Sequence, residues 1–284
     1  MAAVSRAACD AGGVRGYDLG PFGPESVTWR LHSDPVLWLG GIRALYLQAL
    51  HPAAMELLDR HSTFRDDPWG RLSRTADYVG VISFGTHDEA ERAGARVRNV
   101  HRRLGLDDPD LLRWVHCCEV DSFLTVARRA GMRLTDADAD RYLTEQIRAA
   151  RLAGVPDEGT PRDVAGLAAY FEALRPRLSG TPAARSAARY MLHPPMPWKA
   201  ALLTPARPAW ALAATLSFAL LPRWARRMYS MPGLPTTDLA ATATVHTVRT
   251  ALYLLPARLR EGPHYKRAKA RLAATPVRRL EALP

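Results

Sequence analysis

The sequence predicts an all-α protein, a single-domain multi-helix bundle, and three observations lead there. Helix-start signals recur along the chain, apolar residues return at i, i+3 and i+7, and no Asn-Gly or Asp-Gly turn joins alternating runs. Asp34-Pro35, Asp67-Pro68, Asp108-Pro109, Thr160-Pro161 and Thr181-Pro182 each place a side-chain acceptor at an N-cap and a proline at the first helical position. Thr86-His87-Asp88-Glu89 reads as a capping box, in which threonine and glutamate satisfy each other's backbone N–H groups. These signals predict helices over 35–50, 53–61, 68–83, 87–104, 109–130, 136–153, 161–175, 182–192, 208–228 and 237–255. Gly131 and Gly154 are the expected stops of two of them.

Composition narrows the class. The 284 residues carry 39 Lys+Arg against 28 Asp+Glu, a formal net charge of +11, yet 48% are hydrophobic, which is too apolar for a disordered polycation. Six of those eleven net charges fall in residues 256–284, which read as an exposed basic tail. No zinc-finger spacing or RNA-binding signature accompanies the charge, so a nucleic-acid partner is not expected. Cys9, Cys117 and Cys118 make no disulfide framework, and no secretory signal precedes them, so a reducing, cytoplasmic compartment is expected. Cys117 and Cys118 read as inert core thiols. The apolar run from Ala209 to Leu221 is too short to span a bilayer.

The histidines sort by helical phase. On 87–104, Ala90, Ala93, Val97, Val100 and Leu104 form one apolar stripe, and His101 shares it. His116 shares a face with Leu112, Val120, Phe123 and Ala127, His51 continues the face of Leu37, Gly40, Ala44 and Leu47, and His246 sits among Leu239, Ala243, Thr250 and Tyr253. Four inward imidazoles suggest a bound metal or cofactor, since neutral imidazole is a common metal ligand. No His-Glu-x-x-His helix, cysteine knuckle or Glu-x-x-His repeat is present. Those absences leave haem, which needs as little as one protein imidazole and an apolar slot with cations nearby. Arg71, Arg74 and Thr75, at i, i+3 and i+4, stand on one side of the 68–83 helix as a clamp for carboxylates.

Several ordered motifs carry a resemblance. They are Arg43-x4-Gln48-x2-His51-Pro52, His61-Ser62, Asp67-Pro68-Trp69-Gly70-Arg71-Leu72-x2-Thr75, Phe84-Gly85-Thr86, Val97-x3-His101, Asp108-Pro109-x4-Trp114-Val115-His116 and Asp121-Ser122. Together with the Leu221-Pro222 to Met231-Pro232-Gly233-Leu234-Pro235 segment, they resemble the MpaB-type oxygenase family, which shares its catalytic domain with the latex-clearing rubber oxygenases. The resemblance covers about residues 30–235 and implies an all-α fold enclosing one b-type haem with its iron. It implies oxidative chemistry with O2 on an apolar small-molecule substrate, an isoprenoid or specialised metabolite. The domain expected from it is 30–255, between an N-terminal extension at 1–29 and the tail at 256–284.

The resemblance implies His101 as the iron ligand, with Arg71 and Thr75 beside the haem, Glu56 near an acid/base position, and His51 and His116 lining the pocket or orienting neighbours. Arg74 stands where rubber oxygenases carry a lysine able to ligate iron. A guanidinium offers no lone pair, so the distal position is expected open or held by water. The join from His101 to Asp108 is short and lacks the glycine-rich loop of relatives. The competing expectation is a non-catalytic haem-binding protein, or a peripheral membrane or partner-binding helical protein. That reading uses the basic tail and segment 208–229, where Trp210, Phe218 and Trp224 neighbour Arg223, Arg226 and Arg227.

Overall fold

A computed structural model describes residues 18–61 and 66–274. Most of the expected N-terminal extension, with Cys9, and the last basic residues, Arg278 and Arg279, lie outside the described residues. Among those described, every regular element is a helix. In chain order they are α1 (Val27–His32), α2 (Trp38–Gln48), α3 (Pro52–His61), α4 (Pro68–Phe84), α5 (His87–Leu104), α6 (Pro109–Arg129), α7 (Asp136–Ala153) and α8 (Val164–Leu174). The second half continues through α9 (Pro182–Leu192), α10 (Trp198–Leu203), α11 (Ala206–Ala219), α12 (Arg223–Met228), α13 (Thr237–Leu254), α14 (Ala257–Arg260) and α15 (Pro263–Ala273).

The caps set most boundaries. Asp67 accepts from the Gly70 N–H at 2.9 Å, Asp108 from Asp110 and Leu111 at 2.9 and 3.0 Å, and Thr181 from Ala184 at 3.1 Å. The Thr86–Glu89 box closes in both directions, at 3.1 and 2.9 Å. Gly105, Gly131 and Gly154 all take positive φ just after α5, α6 and α7, the left-handed conformation that glycine adopts without a Cβ penalty.

Four expectations need correction. Asp34 caps only a turn at Val36, and α2 starts at Trp38. Thr160 donates to the Pro156 carbonyl instead of starting a helix, leaving Asp163 to cap α8. Pro222 divides the segment expected as one helix into α11 and α12. Over 263–273 the segment expected as an exposed tail is a helix docked on α4. There His264 Nε2 meets Asp77 Oδ1 at 2.6 Å, and Ala268 packs with Trp29 and Phe84.

The core is organised on α2 and α6, which pack along each other more extensively than any other pair. Leu39, Ile42, Tyr46 and Leu47 of α2 meet Trp114, Cys117, Val120 and Leu124 of α6 in one buried cluster. Gly40 permits the close approach, because a Cβ there would lie 2.8 Å from Phe123 Cδ1 and 3.2 Å from the Phe123 Cα. Arg43, 2% exposed, then crosses the seam. It donates to the Leu220 carbonyl at 3.0 Å, to Asp121 at 2.7 Å and to Ser122 Oγ at 2.7 Å. Arg226 does similar work for the α11–α13 connection, donating to the carbonyls of Ala219 and Leu221 and to Asp238. Cys117 and Cys118 are buried, and burial pushes the Cys117 thiol up to about 12, so both are protonated core side chains.

Two neighbouring glycines give a paired test of this packing. Gly40→Val should lower unfolding free energy by about 1–3 kcal/mol through overpacking against Phe123. Gly41→Ala, where a Cβ meets nothing within 4 Å, should raise it by up to about 1 kcal/mol from helix propensity alone. Urea denaturation measures both, and equal effects would contradict the close α2–α6 seam. At Gly80 a Cβ would sit 2.5 Å from His264 Cδ2. Gly80→Leu should therefore release α15, seen as faster deuterium uptake over 263–273, and unchanged protection would contradict the docking.

Candidate functional site

Helices α2, α4, α5 and α6 surround a cavity of about 980 Å³, at the upper end of the range of about 300–1,000 Å³ for ligand pockets. Its wall is mostly apolar and uncovered. Trp38, Val100 and Leu104 face it and keep 47%, 50% and 37% of their surface exposed. The stripe expected on α5 therefore splits: Ala90, Ala93 and Gly94 enter the core, whereas Val100 and Leu104 turn to the cavity. Large apolar side chains left uncovered inside a fold mark a place for an apolar ligand.

His101 lies on this wall. The αL stop at Gly105 and the cap at Asp108 turn the chain sharply between α5 and α6, which holds both helices to the same cavity. The His101 Nδ1 is buried with no hydrogen-bond partner, and burial lowers the imidazole pKa, an effect that Asp107 partly opposes. The ring is therefore neutral at physiological pH and keeps a lone pair.

The first turns of α4 bring Arg71, Arg74 and Thr75 to the same cavity. Burial first, and Arg74 second, lower the Arg71 pKa, though a guanidinium stays charged. Thr75 donates to the Arg71 carbonyl at 3.1 Å. Arg74 is largely exposed and pairs at 3.1 Å with Asp67, whose pKa is lowered by the Gly70 N–H and then by Arg74. Trp69 fixes this end of α4 by donating to the Pro195 carbonyl at 2.7 Å and stacking edge-on against Trp210.

Other residues expected at the site are elsewhere. Glu56 is on the exposed side of α3 and lines no part of the cavity, since Met55 beside it takes the inward position. His51 and His116 are buried behind the wall. His51 Nδ1 accepts from the Ala54 N–H at 3.4 Å and its ring neighbours Trp114. Burial, followed by Arg177, lowers its pKa. Burial lowers His116 to about 4, so it is a neutral core residue. His246, expected inward, is exposed beside Gly131. The inward face of α13 is carried by Ala241 and Val245 instead.

Two cavity residues were missed. His32, from the short α1, meets Ser83 Oγ at 2.6 Å and Tyr142 Oη at 3.0 Å. The Ser83 hydroxyl is spent on the Val79 carbonyl, so His32 Nδ1 donates to it and Nε2 accepts from Tyr142. Burial lowers His32 to about 3 and keeps it neutral. Glu119 on α6 also faces the cavity, and burial raises its carboxyl to about 7. Its signal was present, because Leu112, Val115, Glu119 and Phe123 recur at helical spacing as one stripe with an acid in it.

Among the described residues no group of three or more His, Cys, Asp or Glu side chains is arranged to hold a metal ion. None of the helices is long and apolar enough to cross a membrane. Residues 29–251 match the family described as "ER-bound oxygenase mpaB/B'/Rubber oxygenase, catalytic domain". No curated protein and no solved structure matches the chain. The cavity extends past the matched span, since Arg260, Pro263, His264 and Tyr265 complete one side of it. All four helices around the cavity, α2, α4, α5 and α6, and the motif histidine on α5 thus fall within the matched span, and the chain is a member of the MpaB and rubber-oxygenase catalytic-domain family, membership that implies an oxygenase.

Proposed function

We propose that the protein is a haem-b-dependent oxygenase that acts with O2 on an apolar small molecule. The observation that carries this reading is the His101 imidazole, neutral and with an orphaned buried nitrogen, on the wall of a cavity whose large apolar side chains are uncovered. An unpaired buried polar atom costs about 1–3 kcal/mol, and of the atoms so placed among the described residues the one at His101 belongs to a ring on the cavity wall. A flat apolar macrocycle suits walls of this kind, and one imidazole is enough to hold its iron.

Haem, when bound, supplies the activation of O2. The chain's residues do the rest. His101 offers a nitrogen lone pair because burial keeps it unprotonated. Arg71 supplies a half-buried cation for a propionate, and Thr75, anchored on the Arg71 carbonyl, keeps the first turns of α4 in place. The ion pair with Asp67 holds Arg74 at the exposed rim, and a guanidinium has no lone pair to give a metal. Trp38, Val100 and Leu104 exclude water and receive the apolar substrate.

A second reading, contact with a membrane surface, is favoured by a separate observation. Leu202, Leu203, Leu254 and Leu259 are 67–83% exposed on α10, α13 and α14, near Lys199, Arg258 and Arg260. It is compatible with the first.

Expression with haem precursors tests the main reading. The purified protein should show a Soret band that His101→Ala removes while the helical circular-dichroism signal is kept. Colourless protein, or a band unaffected by His101→Ala, would overturn it. The resting spectrum should report a single nitrogen ligand with water or an open position opposite. A spectrum of two strong nitrogen ligands would contradict the role given to Arg74.

A further inference from the structure

The polar groups on the cavity wall are not equivalent. His32 is satisfied on both ring nitrogens, and Asp34 is satisfied by Arg249 at 2.7 Å and Tyr253 at 3.1 Å. Arg74 has Asp67, and His264 has Asp77 and Arg267. Glu119 differs from all of them, for no described side chain or backbone group forms a hydrogen bond or ion pair with its carboxyl.

Its surroundings explain why it is kept apart. From α6 itself Cys118 lies close, from α4 Tyr78, and from α7 Tyr142. Arg98 of α5 acts on Tyr78 and donates to the Leu152 carbonyl at 2.7 Å. One turn to either side along the same face, Val115 and Phe123 are apolar. The carboxyl thus faces the cavity between apolar neighbours on its own helix face, with no hydrogen-bond partner of its own among the described residues. Burial raises its pKa to about 7, well above the usual carboxylate range, so the carboxyl takes up a proton more readily than an exposed one and can donate as well as accept.

We propose that Glu119 is the polar anchor of the cavity and hydrogen-bonds one hydroxyl or carbonyl oxygen of an otherwise apolar substrate. This deepens the proposed function by naming the substrate class: an oxygenated apolar molecule, such as an isoprenoid alcohol or ketone, in place of a pure hydrocarbon. A site built to hydrogen-bond a substrate oxygen discriminates against the analogue lacking it, because the protein group is then left unpaired in a dry pocket.

Calorimetric titration of the purified full-length protein with a linear isoprenoid alcohol and with the hydrocarbon of the same skeleton tests this. The wild type should bind the alcohol roughly three- to tenfold more tightly, the worth of one hydrogen bond. Glu119→Leu should bind both alike, and Glu119→Gln, which still donates and accepts, should restore most of the preference. Equal binding by the wild type, no binding of either probe, or a preference that survives Glu119→Leu overturns the proposal. The wild-type comparison stands even where a variant folds poorly. The Soret band of Glu119→Leu separates this inference from the reading it rests on. A retained band with a lost preference supports both, whereas protein without haem counts against the oxygenase reading alone.

Discussion

Arg43 is a charge buried at the seam of α2 and α6, and most of the molecule is arranged around keeping it satisfied. A guanidinium removed from water is tolerated only when its donors are met by good acceptors. Here they come from three places: Asp121 and Ser122 on α6 and the carbonyl that ends α11. Meeting all three fixes the distance between α2 and α6, and Gly40 makes that distance possible. Ser217 donates to the Leu39 carbonyl and Tyr229 to the Tyr46 carbonyl, which tie the second half of the chain to the same helix.

With α2 and α6 locked, α4 and α5 can stand off from them without collapse. The turn between α4 and α5 is a tight capping box, and α5 is pinned to α7 where Gly94 packs on the Leu152 carbonyl. Only the far end of α5 diverges, and there Val100, His101 and Leu104 face open space. Apolar surface of this size calls for a bound group to cover it, and the helices packed around it give the cavity its shape. The helix α15 lies beyond the matched family span and closes one side of it through His264 and Tyr265.

Much of this was legible in the sequence wherever a local signal acts. Caps at Asp67, Thr86, Asp108 and Thr181 begin helices because a short polar side chain satisfies N–H groups two or three residues away, whereas Asp34 and Thr160 carry the same signal and cap none. Long-range partners left no such trace. The N-terminus of α1 is held by Glu145, which accepts from the N–H groups of Val27 and Thr28 at 3.2 and 2.8 Å across more than a hundred residues. The docking of α15 depends on Gly80 and Asp77, far away on α4.

Helical phase located side chains on a face without saying what that face meets. It grouped Val100 with Ala93, although one faces the cavity and the other the core. It set His246 inward on apolar neighbours, several of which are themselves exposed. Glu119 is an acid within an apolar stripe, a weaker pointer to a bound group than the imidazoles around it, because imidazole is the commoner metal ligand. The motif residues Arg71, Thr75 and His101 converge on one cavity, whereas His51 and His116 serve the core behind it.

The central claim is that this cavity is the seat of a haem held through His101. A crystal structure of protein purified with haem tests it most directly. The account predicts the macrocycle inside the cavity bounded by α2, α4, α5 and α6, with iron on the His101 imidazole and a propionate on Arg71. Haem bound at the surface, or iron carried by another side chain, would contradict it.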